Sequence, residues 1–525
     1  MNALHFLCWN NSNSTLIDAI QLLIQLGIDV NAKDNDGMNA LHYLCQNNSN
    51  SNLIDAIQLL IQLGIDVNAK DNDGMNALHY LCQNNSNSNL IDAIQLLIQL
   101  GIDVNAKDND GRNALHYLCQ NNSNSNLIDA IQLFIQLGID VNAKDNDGRN
   151  ALHYLCQNNS NSNLIDAIQL FIQLGIDVNA KSNFGRNALH YLCWKNSNSN
   201  LIDTIQLLIQ LGIDVNAKDN EGRNALHYLC WKNSNSNLID AIQLFIQLGI
   251  DVNAKDNEGM NALHFLCWNN SNSNLIDAIQ PFIQLGIDVN AKSNFGRNVL
   301  HYLCQNNSNS NLIDAIQLLI QLGIDVNAKD NEGRNALHYL CWKNSNSNLI
   351  DAIQLLIQLG IDVNAKDNEG MNALHFLCWK NSNSNLIDAI QLFIQLGIDV
   401  NAKDNDGMNA LHYLCQNNSN SNLIDAIQLL IQLGIDVNAK SNFGRNALHY
   451  LCWFNSNSNL IDAIQLFIQL GIPVVSDDID ARSLLRRNNK IKNKDEILKL
   501  LDEVAPSNEA APSNVSFFRH FFSAK

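Results

Sequence analysis

The chain has 525 residues, a formal net charge of −19, 13 cysteines and only four prolines. That length would hold three or four ordinary domains. The acidic balance opposes general binding to a phosphate backbone, which needs clustered Lys and Arg.

The charge is uneven. Residues 1–473 carry 23 Lys and Arg against 43 Asp and Glu, and residues 474–525 carry 9 against 8. The opening MNALHFLCWNN has neither a basic leader nor a small-residue cleavage site. The longest apolar runs, such as 59–61, are too short to span a bilayer. A reduced cytoplasmic setting is expected, with the nucleus as an alternative.

One stretch of 37 residues recurs along the chain. Its histidine marks the period, from His5, His42, His79 and His116 to His449, which makes thirteen copies. All 25 glycines and all 13 cysteines are locked to this period. A period between about 20 and 50 residues marks a solenoid, whose units bury their apolar faces against neighbours.

The second copy shows the elements in order. Asn39 is placed to cap a short helix through Ala40, Leu41, Leu44 and Cys45, which share one face. Tyr43, Gln46 and Asn47 lie off that face. The run NNSNSN at 47–52 reads as a loop, because Asn and Ser side chains compete for backbone hydrogen bonds. Asn52 and Asp55 suggest a capping-box-like start to a second helix. In that helix only Asp55, Gln58 and Gln62 are polar, so most of its surface is expected to be buried. Gly64 suits a left-handed C-cap. The Asp73-Gly74 pair then signals a hairpin-like turn.

These residues resemble the ankyrin repeat. Gly37-Met38-Asn39-Ala40-Leu41-His42 stands where that family has G-x-T-P-L-H, and Leu63-Gly64-Ile65-Asp66-Val67-Asn68-Ala69 is similar to its xGADVNA segment. Asn replaces Thr, Ala replaces Pro, and the NNSNSN loop lengthens the unit from 33 to 37 residues. The resemblance implies an all-α solenoid of helix–loop–helix–hairpin repeats over 1–473. It also implies a histidine that knits hairpin to helix, and a concave partner-binding surface built from hairpin tips and first helices. The asparagines of the Val-Asn-Ala segments, such as Asn31, Asn68 and Asn105, are implied hydroxylation substrates.

Variation between copies falls at few positions. Position 38 is Met or Arg, 46 is Gln or Trp, 47 is Asn, Lys or Phe, and 36 is Asp, Glu or Phe (Phe184, Phe295, Phe443). Neutral drift at exposed sites explains variation but not a preference for Trp, which with Arg is enriched at binding hot spots. A neighbouring Arg or Lys could stack on each Trp. The expected partner site is therefore Arg186, Trp194, Lys195, Arg223, Trp231, Lys232, Trp268, Arg297, Arg334, Trp342, Lys343, Trp379 and Lys380. Pro281 replaces a leucine inside a second helix and is expected to make a kink or weak point.

Residues 474–504 read as a degenerate capping repeat. A gapless alignment sets Ala481 at the glycine position, Arg482 at the Met/Arg position and Arg486 at the histidine position. Residues 505–525 read as a flexible tail ending in Phe517-Phe518-Arg519-His520-Phe521-Phe522. At the other end Met1 enters directly at the N-A-L-H segment. That suggests a missing N-terminal segment, a partner, or self-association there.

His42 and Cys45 lie three residues apart and could chelate on one helix, but the histidine has its structural role and Cys45 is on the buried stripe. No metal and no cofactor are expected. Disulfides are disfavoured, because stacked helices lie about 8–10 Å apart and a disulfide needs Cα atoms within about 7 Å. A ladder of identical sites offers no unique pocket for catalysis. The expected function is a non-enzymatic protein-interaction scaffold or adaptor, with protein partners of unknown identity and neither nucleic acid nor membrane. The alternatives are a substrate-recruiting adaptor of a ubiquitin-ligase or signalling complex acting through the tail, or a fragment of a larger ankyrin protein. Oligomeric state is not readable.

Overall fold

The computed structural model describes residues 1–10, 15–46, 52–83, 89–120, 126–158, 163–194, 200–232, 237–268, 275–306, 311–343, 348–380, 385–417, 422–455, 459–491 and 493–504. These residues form 28 helices and one two-stranded antiparallel hairpin. Contacts divide the chain into two units, Met1–Leu266 with Asp277–Asp288 and Cys267–Ile276 with Val289–Lys525. The same repeat builds both.

In the second copy the helices run Ala40–Gln46 and Leu53–Gln62. Asn39 caps the first as expected. Its Oδ1 accepts from the amides of Leu41 at 3.1 Å and His42 at 3.2 Å. His42 closes the box, with Nδ1 accepting from the Asn39 amide at 3.0 Å. Asn52 holds the N-cap position of the second helix but makes no capping bond there. Its φ of −91° and ψ of 9° keep the side chain from folding over the first amides, which needs extended backbone.

Gly64, at φ +84°, ends the second helix. The Gly64 amide donates to Ile61 O at 2.9 Å and the Ile65 amide to Leu60 O at 3.1 Å. This is the paired bond pattern of a Schellman motif, and Leu60 and Ile65 are both buried beside it.

The first helix departs from the one-stripe expectation. Every residue from Ala40 to Cys45 is buried, including His42 and Tyr43. First helices pack on first helices of adjoining copies, as Ala40–Gln46 does on Ala77–Gln83, and second helices on second helices. A short helix enclosed by neighbouring copies on both sides and by its own partner helix has no free flank.

The turn between copies is held by one carboxylate. Asp71 Oδ1 accepts from the amides of Asp73 at 2.9 Å and Met75 at 2.8 Å, and the Asp71 amide donates to Met75 O at 3.0 Å. Successive turns are tied directly. The Asn72 amide donates to Asp36 O and its Nδ2 to Asn35 O, both at 2.9 Å. Asn31 bridges the same two copies, donating from Nδ2 to Gly64 O at 2.9 Å and accepting from the Asp66 amide at 2.6 Å.

The two glycine positions differ in what surrounds them. At Gly185, φ +77°, an added Cβ would lie 2.8 Å from the Asn220 amide nitrogen and 2.5 Å from its Oδ1, whereas at Gly212, φ +86°, it would meet nothing within 4 Å. Gly212→Ala should cost on the order of 1 kcal/mol from the left-handed backbone alone. Gly185→Ala should cost at least about 1 kcal/mol more, since it forces two turns apart. Urea denaturation of both variants checks the order, and equal losses would mean the turn-to-turn contact is not tight.

Pro281 lies inside the helix Leu275–Gln284. That helix keeps the ten-residue length of the other second helices of the repeats, so the proline does not terminate it. The last turn does change. The Leu285 amide donates to Phe282 O at 3.3 Å, whereas in the preceding copy the Leu248 amide donates one residue further back, to Leu244 O at 3.0 Å.

After the thirteenth copy come a hairpin, Val475–Ser476 paired with Ile479–Asp480, and the helices Ala481–Arg487 and Lys494–Val504. The gapless register expected there is three residues out. His449 Nε2 bonds Ile479 O at 2.9 Å, thirty residues on, whereas His42 Nε2 bonds Met75 O thirty-three residues on. The turn is shorter because Asp477 and Asp478, at φ +46° and +63°, close it in two residues. Asp480 therefore takes the place of the capping asparagine, and its side chain accepts from the Arg482 amide. Ser483, not Arg486, stands at the histidine position. The tail motif 517–522 lies outside the described residues.

Candidate partner-binding face

Within each unit the positions that vary between copies come together, and Arg186, Arg223, Arg297 and Arg334 each lie beside two or more aromatic rings. The Arg186 guanidinium carbon sits 5.4 Å from the Phe184 ring centroid, 4.9 Å from Trp194 and 5.2 Å from Tyr228 of the next copy. Arg223 lies 5.2 Å from Trp231 and 5.4 Å from Phe265. In the other unit, Arg297 lies 5.6 Å from Phe295 and 4.9 Å from Tyr339, and Arg334 lies 5.1 Å from Trp342 and 5.6 Å from Phe376.

The tryptophans pack forward. Trp194 meets Tyr228 at 6.0 Å, Trp231 meets Phe265 at 5.8 Å, Trp342 meets Phe376 at 5.9 Å, and Trp379 meets Tyr413 at 5.8 Å. Trp268 meets Tyr302 at 5.9 Å. All five are half-buried.

The arginines also reach acids of the following copy. Arg186 Nε lies 3.5 Å from Asp219, Arg223 Nε 3.5 Å from Asp256, Arg297 Nε 3.7 Å from Asp330 and Arg334 Nε 3.6 Å from Asp367. Arg223 and Arg334 pair in addition with Glu221 and Glu332. These four arginine side chains are only 14–21% exposed. The expected residues are thus brought together, but as a lattice between copies rather than as protruding side chains. The reason is a contact the sequence does not display: position 46 of one copy lies against position 43 of the next. Lys195 lies outside the described residues, as do the side chains of Lys232, Lys343 and Lys380.

Asp219 is the residue that reading the sequence missed. Its Oδ1 accepts from the amides of Glu221 at 2.9 Å and Arg223 at 2.8 Å, its Oδ2 accepts from the Tyr228 hydroxyl at 2.5 Å, and Arg186 approaches it. A signal was present. Ser replaces this Asp only in the three copies with Phe at the tip, at Ser182, Ser293 and Ser441. There Tyr191 reaches only Ser182 Oγ, at 3.3 Å. Phe184, Phe295 and Phe443 are 49–51% exposed and form the open apolar part of this face.

The histidine and cysteine ladders are committed to packing. His42 Nε2 lies 3.1 Å from Met75 O, and its ring meets Tyr80 edge-on at 5.6 Å. All 13 cysteines are buried, and none is joined in a disulfide. Burial pushes the thiols of Cys8, Cys156, Cys304 and Cys378 up to about 12, so at neutral pH they hold no nucleophilic thiolate. Among the described residues no group of three or more His, Cys, Asp or Glu could hold a metal ion, and no helix is long and apolar enough to cross a membrane.

Helix pairs joined by hairpin turns, stacked copy on copy and knitted by a histidine, define a helical repeat protein. A family model described as ankyrin repeats (3 copies) matches residues 1–71, 49–145, 86–182, 123–219, 160–256, 197–292, 263–367, 308–404, 340–441 and 374–478. The chain belongs to the ankyrin-repeat family. Ankyrin repeats are in general protein–protein interaction modules, and the family is typically non-catalytic. A search of curated proteins found no match.

Proposed function

We propose that the chain is a non-enzymatic scaffold or adaptor that holds a protein partner on the aromatic and arginine face of its repeats. The observation that carries this reading is the placement of Trp, Arg and Phe. In copies with Gln at position 46 no tryptophan covers the following tyrosine, yet the fold is the same. The aromatic copies therefore carry something the fold does not require.

The mechanism is preorganised display. Guanidinium groups held between rings and forward carboxylates lose little side-chain entropy on binding, which leaves more of the contact energy as affinity. Phe184 and Phe295 supply open apolar surface at the edge. Residues 474–504 act in this reading as a polar end cap, with Arg482 held by Asp480 and Asp502 at 2.8 Å each. Thirteen cysteines outside any disulfide favour a reducing cytoplasmic setting.

The test is a paired pull-down from host lysate. One bait is the intact chain, and the other has Trp194, Trp231 and Trp342 changed to Gln, the residue other copies use there. The expected result is loss of a partner with helical circular dichroism kept. Recovery of the same proteins on both baits would make the tryptophans packing residues only.

A further inference from the structure

In several copies the buried carboxylate of the turn is met by an arginine, which comes from one of two places. Arg112 and Arg149 pair with Asp108 and Asp145 of their own copies at 3.0 and 2.9 Å. Arg186 and Arg334 reach forward to Asp219 and Asp367 of the next copy at 3.5 and 3.6 Å. For Asp404 both places hold methionine, Met408 in its own copy and Met371 in the copy before.

Asp404 keeps the rest of the arrangement. It is buried, its Oδ1 accepts from the amides of Asp406 at 2.9 Å and Met408 at 2.8 Å, and its Oδ2 accepts from the Tyr413 hydroxyl at 2.5 Å. The equivalent acids Asp108 and Asp110 are both paired with Arg112, whereas among the described residues no ion pair reaches Asp404 or Asp406. Burial and the neighbouring charge of Asp404 raise the Asp406 carboxyl, as two acids without a cation between them should.

The rings that hold a guanidinium elsewhere are present too. Trp379 meets Tyr413 at 5.8 Å, as Trp194 meets Tyr228 at 6.0 Å. In that earlier copy the Arg186 guanidinium carbon lies 4.9 Å from Trp194 and 5.2 Å from Tyr228. A methionine side chain ends at about the reach of an arginine Nε, so Met371 supplies no counterpart to the guanidinium itself. The guanidinium end of this arrangement lies at the surface, since Arg334 also pairs there with the exposed Glu332. Asp71 likewise has methionine at both places, Met75 and Met38, but Gln46 precedes it where Trp379 precedes Asp404.

We propose that Asp404, Trp379 and Tyr413 receive an arginine side chain of the partner protein, in the place that the chain's own arginines fill in other copies. This rests on the reading of the varying positions as a partner surface, and it adds the chemistry recognised there. The rings stack on the incoming guanidinium and the carboxylates of Asp404 and Asp406 pair with it. Arginine fits better than lysine, because a guanidinium is planar and more weakly hydrated than an ammonium. The net charge of −19 draws such a basic segment in.

Methyl NMR of the full chain labelled at its six methionines tests this, because Met371 and Met408 occupy the two places beside Asp404. The probe is N-acetyl-arginine amide, compared with the neutral N-acetyl-citrulline amide and with N-acetyl-lysine amide. The Met371 and Met408 methyls should shift saturably with the arginine probe, less so as salt is raised, while Met75 stays in place. The citrulline probe should give no shift and the lysine probe a weaker one. Met371→Arg installs the residue that Arg334 supplies one copy earlier, so circular dichroism should be unchanged and the Met408 response should be lost. Trp379→Gln should weaken binding roughly two- to fivefold. No shift at Met371 and Met408, an equal shift at Met75, an equal response to citrulline or lysine, or a Met408 response that survives Met371→Arg overturns the inference. The pull-down variant at Trp194, Trp231 and Trp342 leaves Trp379 intact, so the scaffold reading stands or falls separately.

Discussion

Stability should fall steeply as the pH drops from about 6.5 towards 4, before carboxylate titration is complete. Burial holds the imidazoles of His116, His153, His190, His227, His301, His338, His375 and His412 down to about 4. An unfolded histidine titrates near 6.5. Between those values the unfolded chain binds more protons than the folded one, so stability rises with pH and is lost on acidification. A separation of about 2.5 pH units corresponds to roughly 3 kcal/mol for each histidine. Eight such groups recur along the chain, so acid acts on many copies at once.

The geometry agrees with a neutral ring. His190 Nδ1 accepts from the Asn187 amide at 3.2 Å, and Nε2 is then the protonated nitrogen that donates to Arg223 O at 3.1 Å. An imidazolium would only exchange one bond for another, because a protonated Nδ1 could donate to Asn187 Oδ1, 2.6 Å away, but could no longer accept from the Asn187 amide. It would do so at 1% exposure, losing nearly all its hydration. Urea midpoints measured between pH 7.5 and 4.5 decide the matter. The midpoint should be flat above 7 and fall below 6.5, and His190→Gln should lower the proton uptake on unfolding by about one. A midpoint that holds constant or rises on acidification would mean the rings are charged in the folded state.

Pro281→Leu should stabilise the chain by about 3 kcal/mol. The proline removes the amide that would donate to residue 277, and its ring crowds that same carbonyl. The equivalent Leu244 and Leu392 are 7% exposed, so the leucine has a tested place in the packing. In the wild type, amides of 282–286 should exchange faster than those of 245–249, and the substitution should bring the two into line. Hydrogen exchange by mass spectrometry reads both. Equal protection in the wild type would show that the helix absorbs the proline at no local cost.

Much of the architecture follows from local pattern. The 37-residue period, the two helices per copy, the glycine that ends the second helix and the asparagine that starts the first all rest on contacts within about four residues. Identical copies repeat those contacts faithfully, so the sequence displays them thirteen times. The ankyrin resemblance rests on the same short motifs, and the family match bears it out.

Other features are set by contacts 30 to 37 residues apart. Tyr43 lies off the local apolar face, yet it is buried because a neighbouring copy covers it. Trp194 and Arg186 were legible as a cluster, but their engagement with Tyr228 and Asp219 was not, since a periodic sequence does not say which face of one copy meets the next. The three-residue shortening before Ala481 is likewise invisible where the motif has decayed, and only the His449–Ile479 bond fixes it. The sequence alone determined the unit and its number. Tertiary stacking decided which of its variable residues are spent on holding copies together and which remain open to a partner, because burial depends on the neighbour and not on the residue.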